Sequence, residues 1–227
     1  MNFASRLTRS PDPFEPDRGR EAAEGFPDLQ PEVRQLLEGT AGCSPYLKGL
    51  MERERAWLSG ALSGTPEAAL EGVLDAAEAL PDGEVKPGLR QAKRRVALLA
   101  ALADLGGVWP LEEVTGALTR FADLAVSRAL RAALAPEIAR GKLPGATEKD
   151  LGTAAGMVAL AMGKMGAREL NYSSDIDLIC LFDSDRFAPD EVPEARAVFV
   201  KATRRMAATL SDLTGDGYVF RTDLRLR

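Results

Sequence analysis

Asp175 and Asp177 stand one residue apart at the head of an apolar run, "SDIDLICLF" (174–182). Strand side chains alternate between faces, so the two carboxylates share one face, ~6.5 Å apart along the chain. Ile176, Leu178, Cys180 and Phe182 take the other face and suit a core. A second apolar alternation, "YVFRTDLRLR" (218–227), places Val219, Arg221, Asp223, Arg225 and Arg227 on one side and Phe220, Thr222, Leu224 and Leu226 on the other. If the two strands are neighbours, Asp223 comes beside the Asp175/Asp177 pair. Three such carboxylates repel unless some are protonated or a cation lies between them. A divalent metal is the simplest resolution, and two metals ~3.5–4 Å apart can clamp the attacking and leaving oxygens of a displacement at phosphorus. The bland alternative makes Asp175 a turn residue at the strand entry and Asp177 a solvated edge group.

The chain contains no histidine, which excludes Ser-His-Asp and Cys-His catalysis and His-ligated zinc. Chemistry must then run on carboxylates, Lys, Arg, hydroxyls and backbone groups, and carboxylates alone favour magnesium or manganese. The two cysteines, Cys43 and Cys180, are too far apart in sequence to make a zinc knuckle, and Cys180 reads as a small buried hydrophobe.

Upstream, "GKMGAREL" (163–170) follows an apolar run, "GMVALAM" (156–162), and opens a short helical pattern. Gly163 there lets backbone N–H groups approach a phosphate, with Lys164 beside it. The stretch is not a Walker A loop, because Val158 replaces the first glycine and Met165 follows the lysine. An ordinary strand-to-helix turn explains Gly163 and Gly166 as well. Ser173 and Ser174 cap or turn the chain, and with no histidine or lysine partner in evident spacing they are poor nucleophiles. Arg221 and Arg225 either hold substrate phosphates or form the charged side of an edge strand.

The elements that must position these groups are legible from punctuation. Residues 1–28 carry four prolines and read as an irregular arm. Residues 29–145 read as a helical domain. "PEVRQLLEG" runs from Pro31 to a stop at Gly39, and "SPYLKGLMERERAWLSG" from the cap Ser44 to Gly60. "TPEAALEGVLDAAEALPDG" starts from the cap Thr65 and ends at Pro81 and Gly83. Two longer helices follow. One has Leu89, Val96, Leu99 and Ala103 on one face and ends at Gly106-Gly107. The other has Leu111, Val114, Leu118, Phe121 and Ala125 on one face and ends at Pro136. The locally basic "LRQAKRRVALL" (89–99) reads as a solvated helix face. After a linker at 139–152 come a buried strand (156–162), a turn with a brief helix, the Asp-bearing strand, a loop, a helix stopping at Gly215, and a last strand. Strand–helix–strand–helix–strand implies an α/β layer in residues 146–227, and the open end of the last strand reads as an incomplete domain.

The 45% hydrophobic and 28% charged composition is that of an ordinary globular protein. The net charge of −5 argues against non-specific nucleic-acid binding. No apolar signal segment opens the chain and no run is long enough to span a bilayer, so the expected location is cytoplasmic.

The run Met162-Gly163-Lys164, ten residues, then Asp175-Ile176-Asp177-Leu178 resembles the signature of the nucleotidyltransferase superfamily, with Lys164 in place of the usual second Gly or Ser. "GKMGARELNYSSDIDLI" resembles more closely one branch of it, the bifunctional glutamine synthetase adenylyltransferase/adenylyl-removing enzymes. "TGDGYVFRTDLRLR" resembles that family's third-acid segment, with Asp223 at the matching position. "CSPYL" (43–47) and the helices from Leu89 to Leu130 resemble its upstream helical region. The resemblance implies an α+β or α/β fold: a helical domain followed by a mixed nucleotidyltransferase sheet. It implies the N-terminal, adenylyl-removing unit, in which phosphate attacks an AMP–tyrosine phosphodiester on glutamine synthetase and gives ADP. The family's other half uses ATP for the opposite modification, and the PII signal protein and glutamine set the balance. Asp175, Asp177 and Asp223 would be catalytic and hold Mg2+ or Mn2+. Gly163, with Lys164 or Ser174, would contact phosphate.

Overall fold

A computed structural model describes residues 2–226, with side chains described through residue 224. Seven helices come first: α1 (Pro16–Glu24), α2 (Pro31–Cys43), α3 (Pro45–Arg53), α4 (Arg55–Ser63), α5 (Pro66–Glu78), α6 (Val85–Leu105) and α7 (Leu111–Ala139). Strand β1 (Met157–Met162), the single turn α8 (Gly163–Gly166), strand β2 (Ile176–Phe182), helix α9 (Val192–Ser211) and strand β3 (Thr222–Leu226) complete the order. The sheet order is β1-β2-β3. Strands β1 and β2 are antiparallel, while β2 and β3 are parallel and joined through α9. The expected mixed sheet is present in an α+β chain: α8 returns the chain antiparallel and only α9 makes a crossover.

The chain divides into two compact units, Met1–Ala76 with Ala92–Leu118, and Ala77–Gln91 with Thr119–Arg227. The core of the first contains Phe3, Leu36, Leu37, Met51, Leu58, Leu98 and Leu102, all fully buried. Its caps are those the sequence names: Ser44 Oγ accepts from Leu47 N at 3.2 Å, and Thr65 Oγ1 accepts from Ala68 N at 3.2 Å.

Five expectations are corrected here. The proline-rich start is ordered, with Phe3 N donating to Gly64 O and Thr8 N to Gly106 O before α1 begins. Gly39 does not stop α2; a Cβ there would lie 1.9 Å from Pro11 O, so this glycine permits close chain packing. Gly60 lies within α4, in open surroundings. The expected single helix 44–60 is instead two, broken at Glu54, which is 4% exposed and whose carboxylate receives Arg94 Nε and Arg95 Nε, each at 2.8 Å. Arg95 also lies over the Trp57 ring, 5.4 Å from its centroid. The basic stretch at 89–99 is therefore not a solvated face. Its arginines neutralise one buried carboxylate here, and Arg90 is buried in the second unit.

The second unit packs Phe121, Ala125, Leu134, Ile176, Leu178, Ala202, Met206, Leu210 and Val219. Phe220 meets Phe121 at 5.7 Å between centroids, and Phe182 stacks on Phe199 at 4.8 Å. Glu137, 3% exposed, accepts from Arg205 Nη1 at 2.6 Å and Lys201 Nζ at 3.1 Å, tying α7 to α9. Lys201 and Arg205 hold its carboxyl below the ordinary glutamate value. Helix α7 runs past Pro136 to Ala139, so this proline does not end it. Helix α9 stops at Ser211 rather than Gly215, because Asp212 turns to extended backbone (ψ 126). Leu213 beyond it is exposed, as is Leu111 at the start of α7.

Candidate active site

Strand β2 has the predicted alternation. Ile176, Leu178 and Cys180 are buried, and burial raises the Cys180 thiol pKa above its ordinary value. Asp177, Ile179 and Leu181 face the other way, less covered. Strand β1 is not the buried strand the sequence suggests. Val158, Leu160 and Met162 are 57%, 48% and 43% exposed, on the same open side as Leu181. That side of the sheet ends at the carboxylates, since Met162 is the register partner of Asp177.

The parallel register opposes Asp177 to Asp223 directly. Opposed residues of a parallel pair point to the same face, so the two acids are side by side. Neither carboxylate has a hydrogen bond or ion pair to another described residue. Asp175 lies one residue before β2, and its carboxylate takes the Nε–H of Arg221. Arg221 Nη2 also donates to Ser173 O at 3.0 Å, and the guanidinium lies 5.8 Å from the Tyr218 ring centroid. The Asp175 bond raises the Arg221 pKa above its ordinary value. Among the described residues no group of three or more His, Cys, Asp or Glu side chains is close enough to hold a metal ion. Asp177 and Asp223 alone fit a hard divalent cation as an open, all-oxygen pair, and Asp175 would complete the set where Arg221 gives way.

Gly163 opens α8 at φ +57, a left-handed conformation that glycine adopts readily. A Cβ there would lie 3.2 Å from Asp177 Oδ2, so the glycine turn and the central acid share one corner. Gly166 has a second requirement: its Cβ would lie 2.5 Å from Ala161 O, so the α8 turn lies flat on β1. Lys164 is exposed beside this corner. Ser174 donates its hydroxyl to Asn171 Oδ1, which makes it a turn residue in this structure. Arg225 holds the register position opposite Ile179, and its side chain and Arg227 lie outside the described residues.

Gly163→Ala is expected to cost about 1–2 kcal/mol of stability from the left-handed backbone. It should also weaken Mn2+ binding about 10-fold by displacing the Asp177 carboxylate, as loss of a supporting contact does at metal sites. Thermal unfolding and an Mn2+ titration of the variant check the two effects separately.

Sequence reasoning missed three supports. Ser173 sits at φ +58 and turns the chain into β2, a strained position for a serine that a sequence does not reveal. Thr119 Oγ1 accepts from Leu170 N at 3.2 Å and so anchors the segment between α8 and β2. Arg90 holds the approach to β3 through the Gly217 carbonyl.

A three-stranded mixed sheet with acids opposed across β2 and β3, a glycine turn against them and helices around it is an α+β fold of the nucleotidyltransferase type. The comparisons with known proteins narrow the class. Residues 34–227 match the family described as glutamate-ammonia ligase adenylyltransferase, and the chain belongs to that family. It is 46% identical over 188 residues to the bifunctional glutamine synthetase adenylyltransferase/adenylyl-removing enzyme of Caulobacter vibrioides, covering 81% of this chain and 19% of that protein. The enzyme of the same name from Bradyrhizobium sp. (strain BTAi1) is 42% identical over 233 aligned positions, covering 96% of this chain and 24% of that protein. The chain thus spans between 19% and 24% of the length of these two relatives. No helix among the described residues is long and apolar enough to cross a membrane.

Proposed function

We propose that this chain carries the catalytic corner of an adenylyl-removing unit: a phosphorolysis that takes AMP off a tyrosine of glutamine synthetase. The observation that carries the reading is the register of Asp177 against Asp223 beside the Gly163 turn. In the reaction, an oxygen of inorganic phosphate attacks the phosphorus of the AMP–tyrosine phosphodiester. The bond to the tyrosine oxygen breaks, that oxygen takes a proton, and the AMP leaves as ADP. A bound Mg2+ or Mn2+ would supply charge stabilisation to the transferring phosphoryl group.

The residues of this chain supply position. Asp177 and Asp223, with Asp175, would hold the cation on the open face. Gly163 allows phosphate oxygens to approach the backbone without a side chain in the way, and exposed Lys164 offers a charge beside them. Arg221 can turn from Asp175 to an incoming phosphate, because both side chains are about half exposed and the ion pair is weakly held in water. No proton-transferring histidine is needed: orientation and electrostatics carry the rate. In the longer proteins of this family the PII signal protein would set when such a unit works, and the expected location is the cytoplasm.

The experiment supplies the chain with adenylylated glutamine synthetase, phosphate and Mg2+, and separately with unmodified glutamine synthetase and ATP. ADP in the first reaction and no pyrophosphate in the second is expected. Pyrophosphate from the second with no ADP from the first would reassign the chain to the adenylylating activity. Nucleotide binding with neither product would make it a non-catalytic binding unit.

A further inference from the structure

Arg90 is the largest fully buried side chain among the described residues, 1% exposed, and it lies well away in sequence from every acid of the site. Among the described residues its guanidinium forms no ion pair with a carboxylate, although the charges of Asp212 and Asp216 favour its cationic form. Instead Nε donates to Gly217 O at 2.8 Å, Nη1 to Lys86 O at 2.7 Å and Thr209 O at 3.1 Å, and Nη2 to Asp212 O at 2.5 Å. Three of those carbonyls belong to one stretch, from the last turn of α9 to the residues leading into β3. The fourth is in the first turn of α6.

A buried cation needs its N–H groups satisfied, and the backbone carbonyls it satisfies cannot then move independently. The stretch it holds has further ties. Lys86 Nζ meets Asp212 Oδ2 at 2.7 Å, Thr214 and Gly217 form an isolated bridge, and Val219 N and Phe220 N both donate to Leu210 O.

This connector leads directly into β3, which pairs with β2 in parallel from Thr222 onward. A slip of one residue in this pairing would turn Asp223 to the opposite face. The ladder begins where Ile176 N donates to Arg221 O at 3.0 Å, four residues beyond the carbonyl of Gly217 that Arg90 holds. We propose that Arg90 is a positioning residue: by clamping the α9–β3 connector to α6 it fixes the register of β3 and keeps Asp223 beside Asp177.

The test is hydrogen exchange of the whole chain, followed by mass spectrometry, in Arg90→Lys and Arg90→Met. A control variant, Glu137→Gln, loses a buried ionic cluster of the same unit that touches α7 and α9 but not the connector. At matched loss of melting temperature, peptides covering 212–226 and the start of β2 should exchange at least 10-fold faster in the Arg90 variants than in Glu137→Gln. Should Arg90→Met fail to fold, Lys86→Met loosens the same connector from an exposed ion pair and should shift the same peptides in the same direction, by less.

Equal exchange in the Arg90 variants and the control would overturn the proposal and leave Arg90 a general stabiliser. An Mn2+ titration forms the second arm, and it alone rests on the proposed function. Affinity should fall about 10-fold in step with the faster exchange. Unchanged affinity with faster exchange would overturn the link to Asp223. If the unaltered chain bound no Mn2+, the metal reading would fail while the exchange result still decided the clamp.

Discussion

Asp177→Asn is expected to keep the fold and to lose the divalent-ion binding proposed for this site. The Asp177 carboxylate has no bond to another described residue, and it stands opposite Asp223, a like charge. Replacing it with a neutral amide removes a cross-strand repulsion, so the metal-free protein should be as stable as before or more stable by up to about 1 kcal/mol. Divalent-ion binding should weaken by more than about 100-fold, because loss of a mere outer-shell support already costs about 10–100-fold. The combination is diagnostic. A residue that matters only for structure would lower the melting temperature when changed, whereas this one should leave it level or raise it. Calorimetric Mn2+ titration beside thermal unfolding reads both, and an unchanged affinity would remove Asp177 from any metal site.

The second large effect concerns stability. Glu54→Ala strips the buried carboxylate that both Arg94 and Arg95 meet. Breaking a buried ionic group on one side costs about 3–5 kcal/mol. The arginines here keep some solvent contact, 14% and 25% of their side chains, so about 3 kcal/mol is the expected cost. In a chain of this size that lowers the melting temperature by about 6–12 °C. Glu54→Gln should lose less, because an amide oxygen still accepts one N–H from either arginine. A fall of under a degree in Glu54→Ala would mean that the arginines find water instead, and that the break between α3 and α4 does not depend on the triad.

These two residues illustrate how differently the chain advertises its parts. Asp177 is legible because period-two alternation is a local property: "DIDLIC" assigns faces without reference to any neighbour, and the burial of Ile176, Leu178 and Cys180 agrees with that assignment. Glu54 sits in "MERERAW", where nothing local separates a solvated helix charge from a buried one. Only the arrival of Arg94 and Arg95, 40 and 41 residues away, makes it a core group. The glycines divide in the same manner. Gly163 signals a turn by its place after an apolar run. Gly39 reads as a stop and is none, because the reason for its small size is Pro11, a residue brought there by folding. Proline and glycine are strong punctuation only where the backbone sets the requirement, and Pro136 and Gly60 lie inside helices all the same.

The sequence by itself determined the helical first part, the caps at Ser44 and Thr65, the two-faced β2 strand with Asp177 on the face opposite Ile176 and Leu178, and, through the long Gly163–Ile179 block, the resemblance to a family of adenylyltransferases. All of these depend on spacing along the chain or on a motif long enough to be specific. Tertiary structure alone decided which acids meet. It opposed Asp223 to Asp177, gave Asp175 to Arg221, left one side of β1 open, and buried Arg90 among four carbonyls. The physical reason is that strand register and ion-pair choice are set by contacts between residues tens of positions apart. Alternation names the face a carboxylate occupies, but only the packed connector before β3 determines the carboxylate it stands beside.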